Sequence, residues 1–192
     1  VAVAAATLAE ARAAARRVKV FYEDLPAVLD IEEALYERLF VSPSLTMRRG
    51  DSAAALASSP RRRSGELRIG GQDHFYLETH IAYAIPGEDG ELRIHSSTQY
   101  PSEVQHIVAR TLGRPMNAVT VECRRMGGAF GGKESQAAHV AALAAVLAVR
   151  TGRPVKLRLD RDTDMVMTGK RHDFLARYDV GFDDPGRLLA LH

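Results

Sequence analysis

The sequence predicts a mixed α/β fold of the α+β kind, on three observations. Its first 40 residues read as helix, short strand and second helix, the limb of an α/β unit. From residue 65 onward most segments alternate apolar and polar residues with the period of two that half-buried strands require. Two helical patterns interrupt those strands, and a glycine-rich segment joins one strand to the longer helix.

Residues 7–17, TLAEARAAARR, combine alanines with charges at i,i+4 and predict a helix; residues 18–22 predict a strand closed by the turn at Pro26. Asp30, with Glu33 three residues later, is the expected N-cap of a helix running to about residue 40, where Pro43 stops it. Residues 41–65 carry Ser, Pro, Arg and Gly around a short alanine segment and read as loop, which divides the chain into residues 1–40 and 41–192. Arg61, Arg62 and Arg63 follow the turn signal Ser58, Ser59, Pro60 and read as a solvated loop rather than a nucleic-acid patch.

Residues 66–69, 78–85 and 91–96 are strand candidates expected to pair antiparallel, the last two through a hairpin loop at 86–90. Pro101 suits a first helical turn, and Val104, Ile107, Val108, Thr111 and Leu112 recur at helical spacing before Gly113, so that face is expected to be buried. Val119, Val121 and Cys123 alternate with polar residues and predict a strand leading into the glycine segment. The helix after it, residues 135–150, is rich enough in Ala, Val and Leu to imply burial on most sides, and Gly152 and Pro154 end it. Val155, Leu157 and Leu159 form a further alternating strand, and residues 174–182 another.

Charge and cysteine usage narrow the function classes. With 26 basic against 24 acidic residues the net charge is +2, which offers no broad field for nucleic acid or an anionic membrane. Cys123 is the sole cysteine, so no internal disulfide and no cysteine-built iron–sulfur or zinc site forms within the chain; this usage fits a reducing cytoplasm. No window approaches the roughly 18 apolar residues of a membrane span. The alanine-rich start is broken by Glu10 and Arg12 and has no basic leader, so neither signal peptide nor anchor is expected. The chain opens without Met and closes on Leu188, Leu189, Ala190 and Leu191 without a polar tail, which predicts truncation at both ends.

The strongest chemical signal is MGGAFGGKE, residues 126–134. Four glycines in six residues let the backbone take positive φ and approach a ligand closely, and the helix beyond offers unpaired N–H groups. Such a loop can cradle an anion or an oxo group. It matches neither the dinucleotide fingerprint nor the phosphate loop. On pattern alone a structural turn stays open, with Phe130 as a core anchor and Glu134 as a charge favouring the helix N-terminus.

Five segments in order resemble the large subunit of the xanthine dehydrogenase family of molybdenum hydroxylases: GGQDHFYLETH (70–80), SSTQYPSEVQ (96–105), RRMGGAFGGKE (124–134), TGRPVKLRLDRDTDM (151–165) and GKRHDFLARYDVGF (169–182). The resemblance implies that residues 1–40 are the C-terminal part of a small α/β hammerhead-like domain. Residues 41–192 would then be the N-terminal part of a molybdopterin-binding α+β domain. It implies a molybdenum–molybdopterin cofactor, with Gln99 beside the metal through its side-chain amide, which donates and accepts without adding charge. It places the backbone of Phe130 next to the metal's ligands and Gly131 adjoining it. Glu134 would hydrogen-bond a purine and stabilise charge developing on its ring; aldehyde-oxidising relatives usually carry an apolar residue there.

The loop departs from the family at Ala129, where many relatives have glycine, and it is expected to be preserved if φ is negative there. Gln72 is expected at a structural strand entry, and His74, His80, His95, His106, His139 and His172 as structural or surface residues. The general base of the family lies downstream of this chain, so no catalytic residue is assigned; Glu78 and Glu103 fit a strand end and a helix surface better.

The implied reaction is oxidation of hypoxanthine or xanthine to urate with oxygen from water. Electrons would pass through iron–sulfur clusters and FAD, on other domains or another subunit, to NAD. The implied partners are a purine substrate, the iron–sulfur/FAD component and a higher-order oligomer. Two other readings stay open: an aldehyde oxidase-type or other N-heterocycle hydroxylase, and a structural fragment inactive when isolated.

Overall fold

The computed structural model describes residues 1–192. In chain order the elements are α1 (Leu8–Ala15), α2 (Ile31–Tyr36), α3 (Ser52–Ser58), β1 (Arg61–Ile69), β2 (Ile81–Pro86), β3 (Leu92–Ser96), α4 (Pro101–Leu112), β4 (Val119–Glu122), α5 (Gln136–Thr151), β5 (Val155–Arg158), α6 (Arg161–Met167), β6 (Phe174–Phe182) and β7 (Leu188–Leu191). They divide into two compact units, each discontinuous in sequence: residues 1–21 with 73–171, and residues 22–72 with 172–192. No helix is long and apolar enough to cross a membrane.

The first unit is built on a four-stranded sheet in the order β4-β3-β2-β5. β2 pairs antiparallel with β3 and with β5, whereas β3 and β4 run parallel, joined through α4. The strands alternate as the sequence requires, so Ala82, Ala84, Leu92, Ile94 and Val119 face the core at 0–1% exposure. Removing each Leu, Ile or Val side chain from water contributes about 1.5–3 kcal/mol. α4 and α5 pack over this face. α5 buries Ala137, Ala138, Ala141, Ala144, Ala145 and Ala148, a stripe of methyl groups that lets the helix lie close to the strands. α4 buries Val104, Val108 and Ala109 and ends at Gly113 in the left-handed conformation (φ 63°). Thr111, expected on the buried face, is exposed and donates its hydroxyl to the Ile107 carbonyl at 2.8 Å.

The second unit is a three-stranded antiparallel sheet, β1-β6-β7, on which α3 packs, burying Leu56 of the helix and Ala190 of β7. Arg61, Arg62 and Arg63 therefore lie in a strand and not in a loop. Their side chains stay exposed, and Arg61 pairs with Asp184 at 2.7 Å. The pairing of residues 66–69 is also with β6, not with β2 as expected. α2 starts where predicted, with the Asp30 carboxylate accepting from the N–H groups of Glu32 and Glu33. It ends at Tyr36, short of residue 40, because Arg38 turns to φ 56° and the N–H groups of Arg38 and Leu39 cap the carbonyls of Leu35 and Ala34. Residues 18–22 form no strand. Their β-branched and aromatic content finds no neighbouring edge, and Phe21 and Tyr22 are 92% and 82% exposed.

Candidate active site

The glycine segment leaves β4 and enters α5 as predicted, within the first unit. Three successive devices shape it. Gly128 and Gly131 take φ values of 93° and 94°, which side chains rarely adopt. Gly127 and Gly132 give room instead: a Cβ on Gly127 would lie 2.6 Å from the Glu78 side chain, and one on Gly132 2.6 Å from the Tyr76 ring. Ala129 is outside the positive-φ set and is buried at 3%, so the departure from glycine leaves the loop intact.

Phe130 sits between these glycines at φ 53°, a conformation that costs a non-glycine residue about 1–2 kcal/mol. Its side chain is 77% exposed, so it is not the core anchor that the pattern alone allowed. A strained backbone that serves no core packing marks a place where the main chain is held for another purpose.

Gln99 follows β3 and reaches this loop. Its N–H donates to the Lys133 carbonyl at 2.9 Å, and its Oε1 accepts from the N–H groups of Gly131 at 3.1 Å and Lys133 at 3.2 Å. Two backbone donors converging on one side-chain atom require that atom to be the amide oxygen. The Nε2 end then remains a donor with no partner in the chain. Thr98 adds a bond from its hydroxyl to the same Lys133 carbonyl, at 3.2 Å.

Below the loop lies a set of groups that sequence reasoning missed. Lys133 is fully buried; its Nζ donates to Glu78 Oε2 at 3.1 Å and Ser97 Oγ at 3.0 Å and stands 4.7 Å from the centre of the Tyr76 ring. Glu78, read as a strand end, instead collects three donors on Oε2: Ser97 Oγ at 2.5 Å, Gly127 N at 3.0 Å and Lys133 Nζ. Burial pushes its carboxyl up, but Ser97, Gly127 and Lys133 outweigh that and hold it below the usual glutamate range.

Tyr76 in turn donates to the buried Asp164 of α6 at 2.6 Å, and His80 gives Asp164 its N–H at 2.6 Å and its Nδ1 at 3.0 Å. Burial, then the Asp164 carboxylate, pushes the Tyr76 hydroxyl up to about 12. Burial pushes His80 down, so the ring stays neutral, and an acceptor-only carboxylate calls for the proton on Nδ1. Arg161 of α6 fixes the same segment by donating to the carbonyls of Tyr76 and Leu77 at 2.7 and 2.8 Å. Each of these residues falls inside a segment that carries the family resemblance, which is the signal that could have found them.

Glu134 is exposed and makes no hydrogen bond or ion pair within the chain. It does not cap α5, whose first residue is Gln136 and whose N-cap Ser135 forms no side-chain cap either. The structure thus brings Gln99, Phe130 and Gly131 together and leaves Glu134 as an unpartnered carboxylate two positions beyond Gly132.

The profile of the molybdopterin cofactor-binding domain family matches residues 33–192. The chain belongs to this family. It is 47% identical over 191 residues to xanthine dehydrogenase/oxidase of Mus musculus, covering 99% of this chain and 14% of that protein. Aldehyde oxidase 2 of Cavia porcellus is 46% identical over 192 residues, with the same coverage. Among solved structures, aldehyde oxidoreductase from Desulfovibrio gigas superposes with a TM-score of 0.85 at 31% identity, over 96% of this chain and 21% of that one. Quinoline 2-oxidoreductase from Pseudomonas putida 86 gives 0.80 at 29%, over 97% and 25%. The chain thus spans about one seventh of the length of its sequence relatives. The mixed α+β class is that of these molybdenum hydroxylase folds, and the family's cofactor is molybdenum–molybdopterin.

The residues present fit such a group. The free Gln99 Nε2 is a neutral donor, and Gly131, whose Cβ would meet only His74 at 3.8 Å, leaves the main chain open to close approach.

Proposed function

We propose that this chain is the cofactor-facing part of a purine hydroxylase that converts hypoxanthine and xanthine to urate. Gln99, Phe130 and Gly131 face the molybdenum cofactor and Glu134 faces the purine. The observation that carries the reading is the Gln99 amide. Its oxygen is occupied by Gly131 and Lys133, and its NH2 is left free beside a strained, exposed Phe130.

When bound, the cofactor supplies oxidation of a heteroaromatic carbon with oxygen from water. The chain's own part is placement. Gln99 donates a hydrogen bond without adding charge, and the glycine loop excludes side chains from the approach. Glu134 accepts a hydrogen bond from a purine N–H, or donates one when protonated, as charge develops on the ring. The general base lies outside these residues, as do the iron–sulfur clusters and FAD that pass electrons to NAD, so the isolated chain is expected to be inactive. Residues 1–40 close a preceding α/β domain, and the complete enzyme is an oligomer in the cytoplasm.

The near-equal identity to an aldehyde oxidase favours a second reading, an aldehyde or N-heterocycle hydroxylase. Glu134→Val in the longer protein separates the two. The purine reading requires the ratio of kcat/KM for xanthine to that for an aromatic aldehyde to fall, and an unchanged ratio removes it.

A further inference from the structure

We infer that Glu78 and Lys133 are positioning residues: the ion pair between the buried Lys133 and the partly exposed Glu78 sets the shape in which Phe130 and Gly131 are offered to the cofactor. This rests on the reading of Gln99, Phe130 and Gly131 given above and adds two residues to it.

The argument begins with where the bonds go. Lys133 is tied at every polar group: its N–H to Gln99 Oε1, its carbonyl to Gln99 N and Thr98 Oγ1, its Nζ to Glu78 and Ser97. Glu78 ties the other end of the loop. Its N–H donates to the Gly127 carbonyl and its Oε2 accepts from the Gly127 N–H, both at 3.0 Å. A single carboxylate oxygen therefore joins the entrance of the loop, its exit and Ser97 beyond β3. Phe130 and Gly131 lie on the span between Gly127 and Lys133, with Gly132 closed by a bond from its N–H to the Ala129 carbonyl at 2.8 Å.

Stability alone does not call for charges here. Even a fully buried ion pair is commonly replaceable by apolar residues of similar volume without loss of stability, and here the Glu78 side chain keeps 32% of its surface exposed. An apolar pair cannot hold two loop ends and a serine hydroxyl at one point. The charges are thus suited to fixing geometry, and a geometric error of one ångström beside reacting atoms costs far more in rate than in folding.

The test uses the longer protein with Glu78→Met, Lys133→Met and the double variant, compared with Gln99→Ala. Molybdenum content, melting temperature, kcat, KM and the Mo(V) electron paramagnetic resonance signal after dithionite reduction are read on each. Each single variant removes one partner and should melt lower, the Glu78 variant more so because it strands the buried Lys133; the double variant should recover most of that loss. The inference expects the double variant still to show a shifted Mo(V) signal and kcat lowered by roughly 10- to 100-fold with little change in KM.

A double variant with the wild-type signal and kcat overturns it. If Gln99→Ala shifts the signal and the double variant does not, only the inference fails; if neither does, the reading of Gln99 fails and takes the inference with it. Where a variant takes up no cofactor, hydrogen exchange at the Gly131 and Lys133 amides of the cofactor-free protein decides. Faster exchange supports the inference and wild-type protection overturns it.

Discussion

Gln99 and Gly131, 32 residues apart in sequence, are joined by a 3.1 Å hydrogen bond from the Gly131 N–H to the Gln99 side-chain oxygen. The bond fixes which end of the amide is left over. Gln99→Glu separates the two ends chemically, because a carboxylate still accepts from Gly131 and Lys133 but no longer donates. Loop amides in this variant should keep their exchange protection while kcat falls by roughly 100-fold, the cost of losing one donor aimed at developing charge. Loss of protection together with activity would show that Gln99 only folds the loop.

Gly131→Val places a β-branched side chain at φ 94°, where an L-residue is disfavoured by about 1–2 kcal/mol even in open space. The Cβ itself meets only His74 at 3.8 Å, so the chain has room to fold around it. Molybdenum content should therefore drop while the melting temperature changes by only a few degrees. Normal molybdenum content and activity would show that the main chain here does not approach the cofactor.

Glu134 makes no capping bond to α5, so its removal should cost little stability. If it recognises the purine ring, Glu134→Val lowers kcat/KM for xanthine by at least about tenfold. The full loss of a transition-state hydrogen bond costs about 2.7–4 kcal/mol. Aromatic aldehydes, which lack that ring edge, should be spared. A melting temperature lowered with no change in substrate preference would return Glu134 to a role at the helix terminus.

The Tyr76, His80 and Asp164 cluster predicts acid lability. Burial depresses His80 below its ordinary 6.5, against the pull of Asp164 and with that of Lys133, so the folded chain binds fewer protons than the unfolded one. Its contribution is complete above that value and is lost as pH falls through it toward the folded value. Burial raises Asp164, yet its bonds from Tyr76 and His80 leave it below 3.8, so its contribution is lost only further down. The melting temperature should fall as pH drops below about 6.5, and His80→Gln should flatten that fall. An identical slope in the variant would locate the lability elsewhere.

What could be read from the sequence was what is local. The helix from Pro101 carries its own start, periodic face and glycine stop, and β6 carries its own alternation, so both were legible. The end of α2 was not, because it depends on Arg38 taking a positive φ that no residue preference announces. Residues 66–69 of β1 were read as strand, but its start at 61–65 was hidden because a run of arginines has the composition of a loop and its partner strand begins more than 100 residues later. At the site, the glycines and Gln99 were legible through the resemblance. Lys133 was not: a lysine after glycines reads as solvated, and its burial depends on Glu78, Tyr76 and Ser97, all at least 36 residues earlier.

The parallel pairing of β3 with β4 has a consequence for what this architecture tolerates. Both strands leave the sheet at the same edge, so Gln99 and the glycine loop emerge side by side, and α4 exists to carry the chain back for the second pass. Everything between Gly113 and Ala118 turns at the opposite edge, a strand's length away. Residues could be added or lost in that return turn without moving either partner of the Gln99 and Gly131 bond. The same change between β4 and α5 would shift one partner against the other. Length variation in this lineage should therefore accumulate at one rim of the sheet and be excluded from the other.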